Sequence, residues 1–174
     1  MQASYPGYLK LQKSGELKAR IKKLYELLKE CRICPRKCGV NRLKGERGFC
    51  RSGLEPIVSS FHPHFGEEPP ISGFKGSGTI FFAHCSLRCV FCQNYPISHL
   101  GNGNEISVEK LAEGMLNLQE MGCHNINLVT PTHFSPQIVR ALSIAIEEGL
   151  HIPLVYNCGG YEAVETLRPV SYTH

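Results

Sequence analysis

The sequence predicts an α/β protein organised around a parallel sheet, on three observations. Apolar runs of strand length recur at 79–83, 126–130 and 152–157. Helical patterning follows each of them, and the intervals leave room for right-handed crossovers. The chain of 174 residues is long enough for one domain with a real core, or a core plus a small module.

Taken in order, "SGELKARIKKLYELLKE" (14–30) reads as an amphipathic helix. Leu17, Ile21, Leu24 and Leu28 form one stripe, with Lys18, Lys22 and Lys29 largely outside it. "CRICPRKCGVNRLKGERGFCRSG" (31–53) is loop-like and rich in Cys, Arg and Gly. The connector "FHPHFGEEPPISGFKGSG" (61–78) has prolines and glycines that argue against a long regular element. "TIFFA" (79–83) is a near-continuous apolar run, suited to a strand covered on both faces. A helix follows at 107–122, capped by Ser107, with Val108, Leu111, Ala112, Met115 and Leu118 at helical spacing and Gly122 as its stop. "INLVT" (126–130) is the second strand. Ser135–Pro136 opens the next helix, where proline's missing N–H costs nothing. Ile138, Leu142 and Ala145 face inward and Gly149 ends it. "IPLVYN" (152–157) is the third strand, and Tyr161–Arg168 begins a third helix.

Composition narrows the class. The chain is 42% hydrophobic and 20% charged, as expected of an ordinary globular protein without a membrane-length apolar run. The opening "MQASYPGYLKLQKSG" lacks the pattern of a secretory signal, so the nine cysteines are expected in a reducing, cytoplasmic setting as ligands or reactive groups. Residues 1–54 hold 14 Lys and Arg against 4 Glu, the remainder 5 against 11, and there is no aspartate. The basic first third is read as a solvated helix face with charged loops in preference to a surface for an acidic partner or nucleic acid.

The sharpest feature is "AHCSLRCVFCQN" (83–94), with Cys85, Cys89 and Cys92 just after the first parallel strand. Chemistry in such folds sits where loops leave the carboxyl ends of strands. Four thiolates close a structural site. Three of them on a four-iron cube leave one iron open to another ligand. A zinc site completed from elsewhere is the plainer alternative.

The spacing Cys-x3-Cys-x2-Cys, with Phe91 before the last cysteine, resembles the signature of radical S-adenosylmethionine (SAM) enzymes. The run "GSGTIFFAHCSLRCVFCQN" resembles the pyruvate formate-lyase activating enzyme branch, in particular a subgroup known only as homologues of that activase. "CPRKCGVNR", "GEEPPISG", "HNINLVTPTH" and "VYNCGGYE" are similar to that subgroup too, so the resemblance spans roughly residues 31 to 168. It implies that Cys85, Cys89 and Cys92 hold a [4Fe–4S] cluster whose open iron is chelated by SAM. Reductive cleavage would then give methionine and a 5′-deoxyadenosyl radical for hydrogen abstraction. It also implies Phe91 near the adenine, a glycyl radical enzyme as protein substrate, and a reductant such as flavodoxin or ferredoxin. Relatives often carry Gly-Gly-Glu after the second strand, where this chain reads "VTPTH". Thr130 and Thr132, or backbone carbonyls, must then receive the SAM amino group, and Asn157 is a candidate for its methionine or ribose part.

Cys31, Cys34, Cys38 and Cys50 form a second set, read as a metal site of zinc or an auxiliary iron–sulfur cluster. Cys123 is expected to be a small buried thiol. His62, His64, His84, His133, Glu67 and Glu68 are expected in packing or solvated roles, although His84 adjoins the cysteine loop. The resemblance implies a fold that is the N-terminal half of a partial (βα)6 TIM-like barrel. The organisation expected is a helix plus Cys-rich segment (1–65), three strand–helix units (66–168) and a non-native tail (169–174) at a truncation, since "RPVSYTH" breaks the helical pattern and resembles a translated transposon adapter. The rival of another class is a non-catalytic zinc protein with a basic nucleic-acid-binding module.

Overall fold

The computed structural model describes residues 6–171. Its helices and strands, in chain order, are α1 (Gly7–Lys13), α2 (Glu16–Glu26), β1 (Ile57–His64), α3 (Pro69–Ser72), β2 (Ser77–Phe82), α4 (Tyr95–Ser98), β3 (Asn104–Glu105), α5 (Val108–Glu120), β4 (Ile126–Val129), α6 (Ser135–Glu147), β5 (Leu154–Asn157) and α7 (Val164–Val170). Five strands form one sheet in the order β3-β1-β2-β4-β5.

The three apolar runs pair in parallel. Gly78, Ile126 and Leu154 share one row, and Phe81, Val129 and Asn157 another. Their outward side chains meet α5 and α6. Ile80, Phe82, Ile126 and Leu128 pack with Leu111, Met115, Leu118, Ile138 and Leu142 in the main core. Removing such side chains from water, at roughly 1.5–3 kcal/mol each, is what holds the helices on the sheet. Gly114 lets α5 lie close to β1, because a Cβ there would stand 2.3 Å from the Phe61 ring.

Two features depart from the expected pattern. The sheet is mixed, since β1 runs antiparallel to β2 along its length and β3 adds an antiparallel pair. The connector beginning at Phe61 therefore carries half a strand. Pro63 is tolerated there because β3 covers only Ile57 and Val58, so the rest of β1 is a sheet edge. The helix expected over 14–30 is shorter, α2 alone, and an unexpected helix, α1, precedes it. Gly15, left-handed at φ 76°, separates α1 from α2, and the chain leaves helical form at Leu27.

The N-terminal helices pack behind α6. Leu17 and Leu24 meet Val139 and Val170, and the Tyr8 hydroxyl donates to Ile152 O at 2.6 Å. Helix α7 continues through Pro169 to Val170, both buried; of the stretch 169–174 read as a tail, residues 172–174 lie outside the described residues, as do residues 1–5 of the opening. No helix among the described residues is long and apolar enough to cross a membrane.

Ser107 caps α5 as expected, its hydroxyl accepting from Lys110 N at 3.1 Å. Ser107→Ala should cost about 1 kcal/mol. Urea unfolding should show a lower midpoint at an unchanged slope.

Candidate active site

The parallel register brings three strand exits to one edge of the sheet. The cysteine loop leaves β2, Thr130–His133 leaves β4 and Asn157–Gly160 leaves β5. Thr130 N donates to Asn157 O at 2.9 Å, which joins the last two exits directly. The chain is bent hard here. His84, Arg88 and Thr130 have φ of 63°, 54° and 57°, a region that non-glycine residues, and β-branched Thr above all, adopt at a cost. Among the described residues, the other non-glycine residues of that kind, Lys37 and Arg51, lie in the N-terminal cysteine segment.

Cys85, Cys89 and Cys92 are half-buried free thiols in an irregular stretch between β2 and α4. Two sulfurs already accept hydrogen bonds. Leu87 N donates to Cys85 Sγ at 3.3 Å and Ser98 Oγ to Cys92 Sγ at 3.2 Å. The loop is anchored where His84 N donates to Ile97 O at 2.9 Å. Phe91 and Val90 stand outside it, 84% and 94% exposed.

Thr132 is buried, and its hydroxyl is engaged. It donates to the Glu162 carboxylate and accepts from the Tyr156 hydroxyl at 3.1 Å. Ser135 Oγ lies 2.9 Å from the same phenol. Burial pushes the Tyr156 phenol up to about 12, so it stays a neutral donor. Thr130 is half-buried and Asn157 exposed at the end of β5. The sequence reading missed Glu162 and Tyr156, for nothing in "VYNCGGYE" marks one hydroxyl–carboxylate relay among several polar residues.

His133 is a packing residue, fully buried, with Nε2 3.0 Å from Ala83 O, the residue before the cysteine loop. Its own carbonyl accepts from Arg42 Nη1 at 2.7 Å. Arg42 is 1% exposed, and its Nε and Nη2 both donate to Gly53 O. A lone arginine in a basic loop gave no sign of this. His62 stacks on Phe81 at 5.5 Å and Glu67 faces His64 at 3.6 Å. Cys123 is buried and burial raises its thiol.

In the second set, Cys31, Cys34 and Cys50 are buried and Cys38 is half-buried. Burial pushes the Cys34 thiol up, and Cys50, Cys31 and Cys38 around it push the same way. Among the described residues, no three His, Cys, Asp or Glu groups stand close enough to hold one metal ion.

Residues 79–173 match the model of the radical SAM superfamily, and the chain belongs to that family. It is 34% identical over 161 residues to an uncharacterized protein of Methanocaldococcus jannaschii, covering 88% of this chain and 45% of that protein. The chain thus spans less than half the length of the curated relative it matches. No solved structure matches it. The mixed α/β architecture agrees with part of a radical SAM fold. Membership implies a [4Fe–4S] cluster and SAM. The donor set suits such a cluster. A cube takes one cysteine per iron, so the sulfurs need not converge on a point, and two of them already receive the hydrogen bonds that tune cluster thiolates.

Burial lowers the His133 imidazole to about 3 from an ordinary 6.5. Between those values the unfolded chain binds a proton that the native one does not, so stability rises with pH across that window. It is lost as pH falls below about 6.5. His133→Gln should flatten this dependence by up to about 1.4 kcal/mol per pH unit. Urea midpoints of both proteins against pH measure it, and parallel curves would refute it.

Proposed function

We propose that the chain is part of a radical SAM enzyme resembling a glycyl radical enzyme activase, with Cys85, Cys89 and Cys92 as cluster ligands. The observation that carries this reading is the set of three half-buried free thiols on the loop leaving β2, beside the exits of β4 and β5. When bound, the cluster supplies the electron that cleaves SAM and so yields the radical that takes a hydrogen atom from the substrate.

The protein's part is to orient. Leu87 N–H and Ser98 Oγ steady two ligand sulfurs. The Tyr156–Thr132–Glu162 relay fixes the β4 and β5 exits against each other. In this reading the exposed Phe91 ring offers a face for the adenine, while Thr130, Thr132 and Asn157 supply polar contacts to the rest of SAM. The Thr132 hydroxyl is engaged and its carbonyl already accepts from Ser135 N and from Ser135 Oγ at 2.8 Å, so the polar contacts to SAM fall mainly to Thr130 and Asn157. The substrate proposed is a backbone glycine of a partner enzyme, and the electron donor a flavodoxin or ferredoxin in the cytoplasm. These partners rest on the resemblance of "GSGTIFFAHCSLRCVFCQN" to the activase branch.

Purification without air tests the reading. The protein should be brown, with close to four iron and four sulfide per chain at the three-cysteine loop. Cys89→Ala should abolish the absorption near about 400 nm and reduce SAM cleavage at least ~100-fold. A colourless protein whose only metal is zinc, or an intact band in the variant, would contradict it.

A further inference from the structure

Arg36 lies between Cys34 and Cys38, yet its side chain leaves that segment for the other cysteine loop. Nε donates to Ser86 O at 2.5 Å and Nη2 reaches Leu87 O at 3.4 Å. The guanidinium carbon sits over the Phe49 ring, 3.4 Å from its centre. Ser86 C=O and Leu87 N–H belong to one peptide group. The N–H end of that group donates to Cys85 Sγ at 3.3 Å.

A cation on the carbonyl end of a peptide polarises it and makes its N–H the stronger donor. Hydrogen bonds to the sulfurs, and positive charge nearby, help to set a cluster's reduction potential. Both favour the more negative, reduced state and so raise the potential. We propose that Arg36 is a positioning residue for the cluster: it grips the Ser86–Leu87 peptide so that its N–H faces the Cys85 sulfur, and thereby holds the reduction potential up. The N-terminal cysteine segment then acts on the site through a side chain, whatever its own thiols bind. This rests on the cluster assignment made under the proposed function.

The test compares the 174-residue chain with Arg36→Gln, Phe49→Ala and Arg32→Gln after anaerobic reconstitution. Arg32 is exposed and paired with Glu30, so its loss controls for charge alone. Iron and sulfide per chain, Tm and the midpoint potential from a mediated redox titration are measured. The midpoint of Arg36→Gln should be more negative than the parent's at unchanged iron and sulfide per chain. Phe49→Ala, which removes the platform, should shift it the same way by less, and Arg32→Gln should leave it in place. An Arg36→Gln midpoint equal to the parent's overturns the proposal, as does an equal shift in Arg32→Gln. If Arg36→Gln fails to fold or to hold iron, Phe49→Ala decides, and an unshifted midpoint there overturns it. A parent chain that takes up no four-iron cluster refutes the functional reading itself and this inference with it, a result distinct from an unshifted midpoint.

Discussion

Everything at the candidate site depends on the parallel pairing of β2, β4 and β5. Parallel strands point the same way, so their carboxyl ends finish on one edge, and loops distant in sequence become neighbours. The row formed by Phe81, Val129 and Asn157 sets the height of that edge. A slip of one residue would turn Ile126 and Leu128 out of the core and carry Thr130 away from Asn157. The apolar cost of such a slip is what fixes the register, and the register assembles the site.

The N-terminal segment is part of that assembly. Arg42 spans from Gly53 to the β4 exit and Arg36 reaches the β2 exit. Charge-assisted bonds to carbonyls are roughly twice as strong as neutral ones, and the desolvated Arg42 cannot give them up without leaving a buried cation unmatched. The basic character of residues 1–54 is thus spent in part on holding loops. That differs from the solvated face the composition suggests, although Lys18, Lys22 and Lys29 do lie in solvent.

Legibility followed physical range. The parallel strands, the helices at 108–120 and 135–147 and the Ser107 cap were readable because local periodicity and capping chemistry determine them. The place of the cysteine loop at the exit of β2 was readable because it directly follows an apolar run of strand length. Strand β1 was missed because its residues, with Pro63 between two histidines, look like a turn until an edge position makes them acceptable. Helix α1 was missed because its seven residues are too few to show a helical stripe of their own. The contacts of Arg36, Arg42, His133 and Glu162 join residues 30 to 91 positions apart, and no local pattern encodes them.

The central claim is that a four-iron cluster at Cys85, Cys89 and Cys92 keeps one iron free of protein ligands. Electron paramagnetic resonance of the anaerobically reduced protein, before and after adding SAM, tests it most directly. A cubane signal whose g values change when SAM is added is the predicted result. A cluster spectrum indifferent to SAM would mean that a side chain of the protein already fills the fourth position, and the account would fail.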